Sequence, residues 1–194
     1  MTLAGLILAA GESRRMGSPK ALLTLEGETF LDRLIGRFRC LCSEVVVILG
    51  AEADRIRSGV ARGSDVSFVV NENYQLGQLS SLQCGLRAIA GGNAGVLFTL
   101  VDHPNVQAGT LTRLVEEPLA LIAVPRYRGR RGHPVCFSAS LAREFLELPP
   151  GSQAKAVMAA HADEVRFVDV DDPGVTQDID TPEDYQQLLE SMRR

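Results

Sequence analysis

The chain has 194 residues, enough for one domain with a sizeable apolar core. Its 45% hydrophobic and 23% charged residues exclude a disordered or fibrous protein, and a formal charge of −4 argues against a nucleic-acid scaffold. With no basic-then-apolar leader and no run of membrane-spanning length, a cytoplasmic setting without a membrane partner is expected. Cys40, Cys42, Cys84 and Cys136 match no zinc spacing; Cys40 and Cys42, closing a helix, are expected to be buried as small hydrophobes.

In chain order, strand-like and helix-like periodicities alternate. A strand is predicted at 6–9, then a Gly- and Arg-rich loop to residue 20 and a helix over 29–40. Strand 44–49, helix 51–57, strand 66–70 and helix 79–89 follow, then strand 96–101, helix 109–116 and strand 119–124. A basic, Gly-rich tip precedes the strand-like residues 134–137, so 126–137 reads as a hairpin excursion at a sheet edge, suited to a second substrate. Helices 138–146 and 153–161, strand 165–170 and helix 182–192 complete the pattern. It predicts an α/β fold, a doubly wound and mostly parallel sheet with helices on both faces, in one domain over 1–194.

The run LAAGESRRMGSPK at 8–20 is the most informative stretch. Leu8 and Ala9 end the first buried strand, and the chain turns at Ala10 and Gly11. Glycines let backbone N–H groups approach an anion, while Arg14, Arg15 and Lys20 supply countercharge. The first strand-to-loop connection of an α/β protein often binds nucleotide phosphates. The spacing fits neither a Walker loop nor G-x-G-x-x-G, because Lys20 follows Gly17 by three positions and five residues separate Gly11 from Gly17. With 18 arginines against two lysines, Lys20 is not a routine surface lysine.

Asp102 ends the predicted strand 96–101, with Pro104 stopping it. A carboxylate at the carboxyl end of a central strand can hold Mg²⁺ beside a phosphate; it can also cap a turn. A second acid source is Asp178 or Asp180, ahead of Thr181-Pro182, which reads as the start of a helix with Glu183 and Asp184 in its first turn. Asp180 is the preferred partner of Asp102 for a metal. Ser80 and Ser81 stand near another helix start, where they either receive an anion or base edge or simply cap the helix. Arg126, Arg128, Arg130 and Arg131 form either an anion site or a solvated loop.

Four blocks, LAAGESRRMGSPK, NYQLGQLSSLQCGL, RRGHPVCF and DIDTPEDY, together resemble the molybdenum cofactor cytidylyltransferase family, within the nucleotidyltransferases of Rossmann-like fold. The resemblance implies that Leu8, Ala9, Ala10, Gly11, Arg14, Arg15 and Lys20 contact the nucleotide and that Ser81 lies near its base. It implies Mg²⁺ on Asp102 and Asp180, and Gly132, His133 and Pro134 facing a molybdopterin-type acceptor. LAAG at 8–11, rather than LAGG, tilts the donor to CTP, with GTP as the alternative. A molybdenum hydroxylase is the implied client.

The expected reaction is attack of the acceptor's terminal phosphate on the α-phosphorus of CTP, with pyrophosphate leaving. Such chemistry depends on alignment and charge neutralisation, which suits a chain with no Ser-His-Asp or Cys-His arrangement. Arg15, Lys20 and Asp102 are the expected catalytic residues. His133 is the best placed histidine for the acceptor, His103 adjoins Asp102, and His161 reads as structural or exposed. The alternatives are a sugar or polyol phosphate acceptor, or a non-catalytic carrier of molybdenum cofactor.

Overall fold

Alternating apolar side chains along β1 (Leu3–Ala9) supply both faces of a sheet: Leu3, Ile7 and Ala9 join one core, and Leu6 and Leu8 the other. A strand buried along its whole length belongs at the centre of a parallel sheet. The computed structural model describes residues 2–116, 121–149 and 151–193. After β1 come the short strands β2 (Thr24–Leu25) and β3 (Glu28–Thr29), α1 (Phe30–Arg39), β4 (Glu44–Leu49), α2 (Ala53–Gly59), β5 (Ser67–Val70) and α3 (Gln78–Ala88). The second half holds β6 (Gly95–Leu100), α4 (Ala108–Glu116), β7 (Ile122–Tyr127), β8 (Arg130–Arg131), β9 (Val135–Ser138), α5 (Ala139–Glu147), α6 (Lys155–Ala160), β10 (Val165–Asp169) and α7 (Pro182–Met192).

The main sheet runs β5-β4-β1-β6-β9-β7-β10, with β8 folded back onto β7. All strands on this path are parallel except β9, which pairs antiparallel with both β6 and β7. Helices α1, α2, α4 and α7 cover one face, and α3, α5 and α6 the other. The predicted doubly wound sheet is therefore present, but residues 135–138 form β9 between β6 and β7, so the end of the 126–137 segment lies inside the sheet rather than at its edge. The predicted strand 119–124 begins at Ile122; Leu119 and Ala120 lie outside the described residues. The 126–137 excursion is a tight β7–β8 hairpin in which Arg128 and Gly129 both have positive φ, 48° and 80°. Thr24–Leu25 and Glu28–Thr29 form a second hairpin through Glu26 and Gly27, which periodicity does not reveal because each strand is two residues long.

Two buried carboxylates fasten loops to this frame. Asp32 in α1 accepts hydrogen bonds from Thr29 Oγ1 at 2.6 Å and from Arg62 N at 2.8 Å. Asp172 accepts from Gln107 N (2.8 Å), Thr110 Oγ1 (2.7 Å) and Gly174 N (2.9 Å), pinning the start of α4 to the turn at Pro173–Thr176. Cys42 is buried as expected, and burial pushes its thiol up to about 12. Cys40 is exposed, because it falls at the end of α1 on the solvent side, with its thiol donating to Gly36 O. His161 joins α5 to the loop after α6 through Glu144 (2.8 Å) and Glu164 (2.9 Å).

Removing the Asp172 carboxylate strands two backbone N–H groups and a hydroxyl. Asp172→Ala should lose about 3 kcal/mol of unfolding free energy in urea titrations. The hydrogen bonds to Glu164 and Glu144 hold the His161 imidazole above its ordinary value. Its stabilising contribution is full below the unfolded value of about 6.5 and is lost as pH rises through the folded value. His161→Ala should therefore lower the urea midpoint at about pH 5.5 and leave it nearly unchanged at about pH 9.

Candidate active site

A cleft of about 400 Å³ opens where the carboxyl ends of β1 and β6 meet the loop that follows β1. Leu8, Ala9, Ala10, Gly11, Arg14, Arg15, Lys20, Ser81, Asp102 and Asp180 all line it. The loop's shape follows from its sequence. Ser13 adopts φ 51° and its carbonyl accepts from the N–H groups of Met16 and Gly17, while Gly17 takes φ 72°. The Ser13 hydroxyl accepts from Lys20 N at 3.1 Å, which fixes the base of the lysine side chain. At Gly11 an added Cβ meets no protein atom, so glycine there leaves cleft space free and relieves no internal contact.

Lys20 Nζ lies 3.2 Å from Asp102 Oδ2 and also donates to Asp180 Oδ1. Arg15 Nη2 donates to the other oxygen, Asp180 Oδ2, at 2.7 Å. The side chains are 11% (Lys20), 20% (Asp102) and 29% (Asp180) exposed, so these charges are shielded from bulk water yet reachable from the cleft. The hydrogen bond from Lys20, its charge and then Arg15 hold the Asp180 carboxyl below the usual carboxylate range. Asp102 Oδ1 is buried without a hydrogen-bond partner. Asp102 thus does not cap the following turn; one oxygen faces Lys20 and the other is unsatisfied.

Asp180 rather than Asp178 meets Lys20; Asp178 is exposed and does not line the cleft. The capping box of α7 explains the placement. Asp184 Oδ2 accepts from Thr181 N (2.8 Å), from Thr181 Oγ1 (2.9 Å) and from Asp180 N (3.1 Å). The cap that starts the helix therefore also fixes the backbone of Asp180, a link that reading Asp184 as structural alone overlooks. Ser80 and Ser81 do not cap α3; both hydroxyls accept from Asn71 Nδ2 at 3.0 Å. Tyr74, Gly77 and Gln78, from the same polar loop, join the cleft wall; they fall in the block NYQLGQLSSLQCGL but are not among its expected site residues.

Gly132, His133 and Pro134 lie outside the cleft lining, behind Asp102. The His133 ring packs 4.9 Å from that of His103 and 5.5 Å from that of Phe98, and His133 N donates to Val175 O at 2.8 Å. A Cβ on Gly132 would stand 1.8 Å from Val175 O, so only glycine passes there. Burial, with His103 nearby, lowers His133 to about 3; burial also lowers His103. Both rings are neutral at pH 7, and the cations facing the cleft are Arg14, Arg15 and Lys20. Of the basic run, Arg126 is held bidentately by Asp169 at 2.7 and 2.8 Å, and Arg131 lies over the Phe167 ring.

Among the described residues no three His, Cys, Asp or Glu side chains cluster as a metal cage. Two carboxylates at one cleft, one with an unsatisfied buried oxygen, still suit a hard divalent ion that takes its remaining ligands from a bound anion and water.

The profile of the MobA-like NTP transferase domain matches residues 5–178. The chain belongs to this family. It is a nucleotidyltransferase of the MobA-like group, and every residue lining the cleft except Asp180 lies within the matched span. The transferase is 25% identical to the molybdenum cofactor cytidylyltransferase of Escherichia coli K12, over 93% of this chain and 92% of that one. It is 32% identical to the nicotine blue oxidoreductase of Paenarthrobacter nicotinovorans, over 95% of both chains. Its fold superposes on Rv0371c of Mycobacterium tuberculosis H37Rv with a TM-score of 0.83 and 31% identity, covering 98% of this chain and 99% of the other. Another structure of Rv0371c is a complex with manganese, matched at TM-score 0.80 and 31% identity over 98% and 100% of the chains.

The lowered Asp180 carboxyl gives a direct check on this geometry. Its contribution to stability is present above the unfolded value of about 4 and is lost as pH falls through the folded value. In Lys20→Met the Asp180 titration followed by ¹³C carboxyl NMR should move up towards about 4; an unmoved titration would mean that the two groups do not meet.

Proposed function

We propose that the protein transfers a cytidylyl group from CTP, with Mg²⁺, to the terminal phosphate of a molybdopterin-type cofactor, releasing pyrophosphate. The observation that carries this reading is the meeting of Lys20 with Asp102 and Asp180 on one cleft, with Arg15 on the far oxygen of Asp180. Cations and acids drawn from residues 15, 20, 102 and 180 converge on a space whose floor is the turn after β1. That is the charge distribution that a nucleoside triphosphate and a divalent ion require together.

In this reading the backbone from Leu8 to Gly11 lies along the nucleotide, and Ser81, in the opposite wall, stands near the base. Lys20, Arg15 and Arg14 neutralise the phosphates, and Lys20 and Arg15 carry the charge that grows on departing pyrophosphate. Asp102 and Asp180 hold Mg²⁺, which supplies charge neutralisation at the phosphate oxygens. No residue forms a covalent intermediate; the protein's contribution is alignment and a preorganised field. In this reading Gly132, His133 and Pro134 support the acceptor side from outside the cleft lining, through the packing of the His133 ring on His103. The relation to the E. coli cytidylyltransferase supports the choice of nucleotide and acceptor; a molybdenum hydroxylase as client is part of the proposal.

The deciding assay is pyrophosphate release with Mg²⁺ and molybdenum-loaded molybdopterin, comparing CTP with GTP and the cofactor with a sugar phosphate. CTP with the cofactor should be the preferred pair. Asp102→Asn should lower kcat by about 100-fold or more while leaving CTP affinity within a few fold. Unchanged delivery of cofactor by Asp102→Asn would instead favour a carrier, and no release with any pair would remove the transferase reaction from this cleft.

A further inference from the structure

Two of the three N–H donors of Lys20 are already engaged by acids, so the amine must loosen its hold on them to bond a polyphosphate fully. Its amine is shared between Asp102 Oδ2 at 3.2 Å and Asp180 Oδ1, and Arg15 occupies the remaining oxygen of Asp180. The four groups balance as two carboxylates against two cations. A divalent ion entering alone would compete with Lys20 for both carboxylates and leave the partly buried cluster with two excess positive charges. A polyphosphate entering with it restores the balance and offers the amine a better partner.

Building on the site reading above, we infer that Lys20 is a place-holder cation: it keeps Asp102 and Asp180 together in the free protein, and a divalent ion binds well only after an anionic donor has drawn the amine away. The backbone needs no rearrangement for this exchange. Lys20 N is anchored on Ser13 Oγ at 3.1 Å, and Lys20 O accepts from Leu23 N at 3.1 Å. The side chain alone, with its rotatable four-carbon stem, can swing between the acids and the cleft. Lys20 thereby couples metal binding to donor binding. An arginine, with its planar fork, would keep the countercharge but fit two separate carboxylates and a phosphate chain less readily.

The test is Mn²⁺ binding without nucleotide, read from the EPR signal of the free ion. Lys20→Met, though impaired in turnover, should bind Mn²⁺ about tenfold more tightly than wild type, the scale on which neighbouring groups tune metal affinity. Adding Asp102→Asn to Lys20→Met should erase the gain. Equal or weaker Mn²⁺ binding by folded Lys20→Met would overturn the inference. A second measurement needs no variant. The chain has only two lysines, Lys20 and Lys155, so ¹⁵N-lysine labelling reports each amine separately. Inorganic triphosphate without metal should shift the Lys20 Nζ resonance and leave that of Lys155 in place. A Lys20 amine that exchanges with water as freely as Lys155 in the free protein would also overturn the inference. Because triphosphate carries no base and meets no acceptor, coupling without pyrophosphate release from CTP would sink the proposed reaction and leave this exchange standing.

Discussion

Two carboxylates drawn from distant parts of a chain repel one another unless a cation stands between them. Asp102 sits just beyond β6 and Asp180 just before α7, and the Lys20 amine joins them. The rest of the structure can be understood as the apparatus that brings these three groups to one point. β1 and β6 are adjacent and parallel, so the turns leaving them emerge on the same side. The Ser13 hydroxyl and the turn at Lys20–Leu22 bring the lysine back over that edge. On the other side, Ile179 N donates to Asp102 O at 2.9 Å, stitching the segment before α7 to the end of β6.

The supporting carboxylates show how the positions are maintained. Asp184 bonds the backbone at Asp180 and Thr181, and Asp172 ties the preceding turn to the start of α4. Neither lines the cleft. They satisfy N–H groups that would otherwise be stranded at helix ends and in a buried turn, and in doing so they fix the segments that carry Asp102 and Asp180. Local capping chemistry and site geometry are therefore the same set of hydrogen bonds.

Much of this was legible in the sequence because strong local patterns and global architecture agree. The 44–49 strand and the 182–192 helix appear with the expected bounds: an uninterrupted β-branched run cannot settle anywhere but the sheet interior, and Thr181-Pro182 with two following acids defines a helix start. The loop at 8–20 and Asp102 were readable because glycine spacing and a strand-ending acid have few other uses together. Legibility failed where meaning depends on three-dimensional neighbours. Nothing local distinguishes Asp184 as the support for Asp180, or Asn71 as the amide shared by Ser80 and Ser81. The exposure of Cys40 turned on the rotation of the last turn of α1, and the β2–β3 hairpin was too short to generate a period.

The antiparallel strand β9 has an evolutionary consequence. Because it is hydrogen-bonded to β6 on one side and β7 on the other, the chain must double back between β7 and β9, and the Arg128-Gly129 tip projects from that reversal. Insertions or deletions at such a tip leave the registers of β1 and β6 untouched. The length of this hairpin is thus free to change without disturbing the strand ends from which the cleft is built.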